Sequence, residues 1–266
     1  MIVRSTELVP AARAEARPPP GTAVWAIGDI HGRSDLLEPL LDAVREDAGR
    51  RAARRRVLVF VGDYVSRGVD SRRVVELVRR APRGLEVVAL KGNHEDLLLH
   101  YLAGDLSAGR HWFDFDGLDA LAHYGVETGD GAAHDDATLE ALRSSFARAL
   151  PADHLAFFRS LAVARDEGGY RFVHGGVRPG VPLPAQTAAD QMWIRGPFLA
   201  SDRDHGAVVV HGHSISPEVE VRPNRIGIDT GAYRSGVLTC LVLDGAARAL
   251  LQTGEAREGA PAGPPR

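Results

Sequence analysis

The stretch VLVFVGDYVSRG, residues 57–68, joins an apolar run to a polar turn, and this pattern is the strongest indication of the fold. Two other stretches repeat it: AVWAIGDIHG at 23–32 and LEVVALKGNHE at 85–95. Short apolar runs bounded by glycine are typical of buried strands. Helical apolar spacing fills the intervals, at 35–48 and 71–80, and a further helix is predicted at 95–103. This β-α-β order predicts parallel strands joined by helical crossovers.

The later part of the chain has a different pattern. Residues 105–160 are predicted to be mainly helical. After them, five runs at 171–174, 207–211, 225–229, 237–243 and 247–251 are predicted to be strands with few helices between them. These five are expected to form a second sheet packed on the first. The predicted fold class is therefore α/β, with two packed mixed β-sheets flanked by helices and a metal site at the carboxyl ends of the strands.

Composition limits the classes of protein. The 266 residues are 25% charged and 44% hydrophobic, with a formal net charge of −3, which does not indicate a nucleic-acid partner. No apolar run approaches the ~20 residues of a membrane span, and the N-terminus has no secretory pattern, so we expect a cytoplasmic protein without a membrane partner. Residues 1–20 and 253–266 are expected to be disordered tails around one domain at 21–252. The single cysteine, Cys240, cannot form an internal disulfide.

Polar side chains follow five of the predicted strands. The first three stretches supply the carboxylates of Asp29 and Asp63 and the amide of Asn93, and two of them also carry a histidine, His31 or His94. The last two strand ends supply His174 and His211. Ligands in open α/β sheets bind at the carboxyl ends of strands, so these groups are expected to share one rim. Oxygen and imidazole ligands without thiolate suit Mn²⁺, Fe or Zn²⁺ in an open site. Asp63 is a natural bridge between two such ions. The strand ends alone thus supply seven candidate residues: Asp29, His31, Asp63, Asn93, His94, His174 and His211.

The ordered motifs GDIHG, GDYVSRG, GNHE, HGG and HGH resemble the signature of the calcineurin-like metallophosphoesterases, and within them the bacterial-type serine/threonine phosphoprotein phosphatases. The Trp-Ile-Arg segment at 193–195 and the closing strands around 225–243 extend the resemblance to about residues 22–250.

The resemblance implies a dinuclear centre that hydrolyses phosphomonoesters, with a metal-bridging hydroxide attacking phosphorus. Two divalent ions are implied, with Mn²⁺ favoured over Fe or Zn²⁺. Asp29 and His31 would bind the first metal, Asp63 would bridge, and Asn93, His174 and His211 would bind the second. Arg67 and Arg195 would bind the phosphate, together with Asn93, and His94 would be the general acid. The implied substrate is a phosphoprotein carrying phosphoserine, phosphothreonine or phosphotyrosine, or a small phosphoester.

One residue departs from the family pattern. Most phosphoprotein phosphatases have Asp before the motif arginine, where this chain has Ser66, so we expect His94 to be less readily protonated. This favours a phosphoanhydride substrate, whose leaving group needs less acid assistance, and symmetrical dinucleoside tetraphosphate hydrolysis is the alternative function. A non-catalytic metal-binding module is the other alternative. His213 is a further candidate for the site, although a structural role in the turn is equally open.

Overall fold

The computed structural model describes residues 2–7, 15–129 and 135–254. The strands are β1 (Ile2–Glu7), β2 (Thr22–Ile27), β3 (Arg55–Phe60), β4 (Glu86–Ala89), β5 (Ala164–Glu167), β6 (Tyr170–Val173), β7 (Val208–His211), β8 (Glu220–Val221), β9 (Arg225–Gly227), β10 (Leu238–Asp244) and β11 (Ala247–Gly254). The α-helices are α1 (Ser34–Arg50), α2 (Ser71–Arg79), α3 (Asn93–Leu102), α4 (Leu106–Phe113), α5 (Gly117–His123), α6 (Asp136–Ala149), α7 (Ala152–Ser160), α8 (Ala188–Trp193), α9 (Gly196–Leu199) and α10 (Ala232–Ser235).

Two mixed sheets form the centre of the molecule, as the sequence predicts. The first has the strand order β1-β11-β10-β2-β3-β4, and the second has the order β5-β6-β7-β9-β8. Strands β2, β3 and β4 are parallel neighbours, as are β6, β7 and β9. The parallel strands therefore present their carboxyl ends together, and the motif loops begin there.

Alternation along the strands builds two separate cores. In β2, Trp25 and Ile27 pack with α1 and its helical neighbours, whereas Val24 and Ala26 point to the second sheet. Successive strand side chains alternate between faces, so one buried strand serves both layers. Phe172, on the second sheet, lies in the core between the sheets. This sandwich fixes how the loops of one sheet face those of the other.

The placement of the last two strands corrects one expectation. The runs at 237–243 and 247–251 are predicted for the second sheet, but β10 and β11 belong to the first, where β10 pairs antiparallel with β2. A hairpin returning to the open edge beside β2 produces the same apolar pattern as a strand of a second sheet. The sequence pattern alone therefore could not distinguish the two placements.

The segments expected to be tails contain ordered chain in part. Ile2–Glu7 pairs antiparallel with β11, whose pairing extends to Gly254, so the edge strand β1 and the end of its neighbour β11 both lie within the expected tails. Ala16 is buried, and its carbonyl accepts a hydrogen bond from the Tyr170 hydroxyl at 3.1 Å. Residues 8–14 and 255–266 lie outside the described residues. Among the described helices, none combines the length and apolarity needed to cross a bilayer.

Candidate metal and phosphate site

A cleft of about 680 Å³ opens where the motif loops of the two sheets meet. Its lining contains most of the sequence-predicted site residues, namely Asp29, His31, Asp63, Arg67, Asn93, His94 and Arg195. His174 lies fully buried behind this lining. The fold thus brings together eight of the nine residues predicted for the site, and His211 is the exception.

Asp63 is the centre of the site. Its Oδ2 lies 3.3 Å from His31 Nε2 and its Oδ1 lies 3.4 Å from His174 Nε2, so the two carboxylate oxygens face different imidazoles. Burial alone would raise the pKa of Asp63, but the positive charge of His174 and its hydrogen bond hold the pKa well below the usual range. An ionised carboxylate with one oxygen on each side is well placed to bridge two cations.

Second hydrogen bonds fix the orientation of two of these rings. The Nδ1–H of His31 donates to the Val65 carbonyl at 3.0 Å, and that of His174 donates to the Val61 carbonyl, also at 3.0 Å. Both rings therefore direct Nε2 into the site. A backbone acceptor on one imidazole nitrogen, with the other free to coordinate, is typical of metal-binding histidines.

His174 also contacts Asn93. Its Nε2 lies 2.9 Å from Asn93 Oδ1, and its Nδ1 already donates to the Val61 carbonyl, so this amide orientation calls for a second proton on the ring. Although burial lowers the pKa of His174, the charges of Asp63 and Asp29 raise it to about 10, which favours that second proton. A cation between Nε2, Oδ1 and Asp63 would replace that proton.

His213, rather than His211, faces this cluster. Ligand atoms of Asp63, His174 and His213 all lie within 4.8 Å of one another, and the backbone N–H of His213 donates to Asp29 Oδ2 at 2.9 Å. His211 ends β7 and packs edge-on against Phe198, with ring centroids 5.0 Å apart. The chain turns between them because His213 adopts a left-handed φ of 63°. The assignment of His211 to the second metal is therefore not supported by the geometry.

Each side of the site also holds an arginine. Arg67 donates from a terminal nitrogen to His31 Nε2 at 2.9 Å, and Arg195 donates from Nε to His213 Nε2 at 2.8 Å. Each guanidinium thus covers the lone pair of a candidate metal ligand. The Arg67 guanidinium also lies 4.4 Å from the centre of the Tyr233 ring, a cation–π contact that keeps it at the cleft. Both arginines can reach an anion bound between them.

His94 has partners that set its protonation. Trp112 Nε1–H, which can only donate, lies 3.0 Å from Ser66 Oγ, and Ser66 Oγ lies 2.9 Å from His94 Nδ1. The buried Ser66 hydroxyl proton then has His94 Nδ1 as its acceptor. This places the remaining proton of the neutral ring on Nε2, so His94 faces the cleft as a donor and not as a metal ligand. Burial lowers the pKa of His94 well below its usual value, in the direction expected from Ser66.

The backbone around these side chains is strained and tightly held. Six described non-glycine residues have φ in the left-handed region, and all lie in the motif loops or beside Arg67: His31, Asp63, Ser66, Arg67, Asp116 and His213. Such strain is common at functional sites. A Cβ on Gly92 would collide with Asp63 Oδ1, and one on Gly212 with Asp29 Oδ1. The motif glycines are therefore required for close approach to the two carboxylates.

Glu95 holds the Asp63 loop in place. Its carboxylate accepts four backbone hydrogen bonds, from the N–H groups of Asp63, Tyr64, Val65 and Gly92 at 2.8–3.3 Å. It is completely buried, and burial raises its pKa to about 7. Glu95 belongs to the GNHE motif, but its residue type and position alone predict no particular role. Its function is to fix the loops that carry Asp63 and Asn93.

The residues present fit a pair of hard or borderline cations. Asp29 Oδ1 is buried without a hydrogen-bond partner among the described residues, although it faces the same cluster. Burial and, after it, the charge of Asp229 raise the pKa of Asp29, and a cation beside this carboxylate would offset both effects. Asp229 and Trp112 were not predicted as site residues: Asp229 lies in the closing strands that extend the resemblance but was given no role there, and Trp112 lies in no motif.

Comparison with known proteins agrees with this geometry. Residues 22–235 match the family described as calcineurin-like phosphoesterase. A bis(5'-nucleosyl)-tetraphosphatase PrpE [asymmetrical] from Anoxybacillus flavithermus is 26% identical over 81% of this chain and 88% of its own length. Serine/threonine-protein phosphatase 1 from Salmonella typhimurium is 35% identical, over 34% of this chain and 40% of its own. A crystal structure assigned to a diadenosine tetraphosphatase shares the fold with a TM-score of 0.60, at 22% identity, covering 91% of this chain and 97% of that one.

Proposed function

The chain belongs to the calcineurin-like phosphoesterase family, and we propose that it uses two divalent metal ions to hydrolyse a phosphoanhydride bond in a dinucleoside polyphosphate. The motifs alone favour a protein phosphatase, with the dinucleotide hydrolase as the alternative. We reverse that order because the dinucleoside tetraphosphatase relative matches most of the chain, whereas the protein phosphatase relative matches about a third.

The protonation state of His94 supports a phosphoanhydride substrate over a phosphomonoester. Its Nδ1 partner is the Ser66 hydroxyl, and the carboxylate beside its Nε2 is that of Asp63, whose Oδ2 lies 4.0 Å away. A neutral imidazole donates a hydrogen bond but is a weak proton donor, so it assists a leaving phosphate more effectively than a leaving alkoxide. General acids are most effective when their pKa lies near the working pH. His94 does not meet this condition, because burial lowers its pKa well below the usual value.

We propose two ligand sets that share Asp63, supported by the contacts of its two oxygens with His31 and His174. Asp29, His31 and Asp63 would hold one cation, and Asp63, Asn93, His174 and His213 the other, with Asp63 shared. When bound, the two cations supply positive charge to the phosphoryl oxygens and lower the pKa of water. Mn²⁺ remains the favoured ion, because carboxylate, amide and imidazole ligands suit it.

The protein's own side chains would bind the phosphoryl group and assist the leaving oxygen. Arg67 and Arg195 bind the phosphoryl oxygens, with guanidinium geometry that suits two-point contact. Fixed charges of this kind stabilise the charge that develops during phosphoryl transfer. The Nε2–H of His94 donates to the leaving oxygen, held in that direction by Ser66 and, through it, by Trp112.

Three substrates separate the candidates: bis(5'-adenosyl) tetraphosphate, a phosphoserine peptide and p-nitrophenyl phosphate, each with Mn²⁺. We expect the highest kcat/KM on the dinucleotide, and loss of turnover on all three in Asp63→Asn. A higher kcat/KM on the phosphopeptide would contradict the proposal and favour a protein phosphatase. The phosphopeptide is included because the GNHE motif at 92–95 and the closing strands resemble those of the protein phosphatases.

A further inference from the structure

The cleft extends well beyond the groups that would bind phosphate. Its lining includes Phe115, His111 and Trp193, which form a continuous row of aromatic rings. The Phe115 and His111 ring centroids lie 5.2 Å apart, and His111 stacks on Trp193 at 5.6 Å with an interplanar angle of 24°. We call these three side chains the aromatic wall. Resting on the function proposed above, we propose that the aromatic wall binds the nucleobase of the substrate.

Exposure of apolar surface supports a binding role over simple packing. Four large hydrophobic side chains are exposed in the described chain, and two of them, Phe115 and Ile215, line this one cleft, each 37% exposed. Trp193 differs, since its Nε1–H donates to Asp96 Oδ2 at 3.2 Å and its ring is half-buried. Trp193 thus anchors the wall, while Phe115 and His111 present exposed ring surface to a ligand.

The position of the wall relates it to the leaving group. The Phe115 and His94 ring centroids are 6.4 Å apart, and His94 is the residue that faces the leaving oxygen. From Phe115 the ring contacts continue to His111 and from there to Trp193. A base joined to the leaving oxygen through a ribose is larger and has a longer reach than a phenyl ring attached directly to that oxygen. A row of three rings therefore favours a nucleotide over an aryl ester.

The chemistry of the wall suits a base without selecting among bases. Bases stack on aromatic side chains with little sequence preference, and each stacked base contributes roughly a tenfold or greater gain in affinity. Offset stacked and edge-on ring contacts add to the burial of apolar area. A cleft of about 680 Å³ also lies in the range of pockets that enclose a small organic ligand. The wall is therefore expected to contribute affinity for a nucleotide, and not selectivity for adenine.

The test compares two ligands that differ only in the base. The methylene phosphonate analogues of AMP and of ribose 5-phosphate resist hydrolysis, and calorimetry on the Mn²⁺-loaded protein gives a Kd for each. We expect the AMP analogue to bind about tenfold more tightly. The ratio of the two Kd values should fall towards one in Phe115→Ala and in His111→Ala, and it should stay near the native ratio in Phe115→Trp. Val87→Ala, an exposed apolar residue on β4, is the matched control and should keep the native preference.

Two results would overturn the inference: equal binding of both analogues by the native protein, or a preference that survives both Phe115→Ala and His111→Ala. A phosphonate analogue of phosphotyrosine is the third ligand. If its binding depends on Phe115 while that of the AMP analogue does not, the wall binds an aryl ester and not a base. Turnover of p-nitrophenyl phosphate is measured separately, so loss of the proposed hydrolase function is distinguished from loss of the base subsite.

Discussion

Removing the Ser66 hydroxyl tests whether the Trp112–Ser66–His94 chain orients the acid. In the native protein, Ser66 Oγ lies 3.0 Å from Trp112 Nε1 and 2.9 Å from His94 Nδ1. In Ser66→Ala both of these buried groups lose their hydrogen-bond partner. Each buried polar group left unsatisfied costs about 1–3 kcal/mol, so the free energy of unfolding should fall by about 2–6 kcal/mol. Residue 66 has a left-handed φ of 73°, which strains serine and alanine alike. This strain therefore does not contribute to the difference in unfolding free energy between the two proteins.

The assay is urea unfolding of the native protein and the variant, followed by kcat on the dinucleotide and on p-nitrophenyl phosphate. Ser107→Ala is the control, because its hydroxyl is exposed and its loss should cost less than about 0.5 kcal/mol. We expect kcat to fall about tenfold in Ser66→Ala, because neither His94 tautomer is then favoured. A stability loss no greater than that of Ser107→Ala, with kcat unchanged, would refute the orientation of His94 by Ser66 and Trp112.

Three further substitutions are informative. His213→Ala should lose one of two bound Mn²⁺ ions by elemental analysis while His211→Ala retains both, and the reverse result would place His211 in the second metal site. Ser66→Asp should raise the pKa of His94, because a carboxylate stabilises the imidazolium; the alkaline limb of the pH–rate profile should then move upward, and an unmoved limb would contradict this. Glu95→Gln leaves two of the four backbone N–H groups without an acceptor, so Mn²⁺ affinity should fall about 10–100-fold by calorimetry; native affinity would show that the loop after β3 holds its shape unaided.

The sequence pattern predicted the strands that carry the site more accurately than it predicted the last metal ligand, where it favoured His211 over His213. Runs such as 23–28 and 57–62 match β2 and β3 within two residues because buried parallel strands leave a continuous apolar signal. Asp29, Asp63 and Asn93 come two to four residues after the ends of β2, β3 and β4, and they reach the cleft as expected.

The choice between His211 and His213 depended on backbone angles that no pattern of residue types reveals. Both histidines flank Gly212, and the left-handed φ of His213 decides which ring enters the site. Trp112 was equally hidden, since it reaches Ser66 from α4, 46 residues away along the chain. Motif spacing therefore predicts which loops meet, while the final ligand and the partner of the acid depend on long-range packing.

The most direct test of the two-metal mechanism is hydrolysis by the metal-stripped protein after addition of Mn²⁺. We expect no turnover of p-nitrophenyl phosphate or bis(5'-adenosyl) tetraphosphate without metal. Activity should then return in proportion to Mn²⁺, up to two ions per chain, and should be absent in Asp63→Asn. Full activity in the metal-free protein, or binding of two ions without turnover of either substrate, would contradict the mechanism.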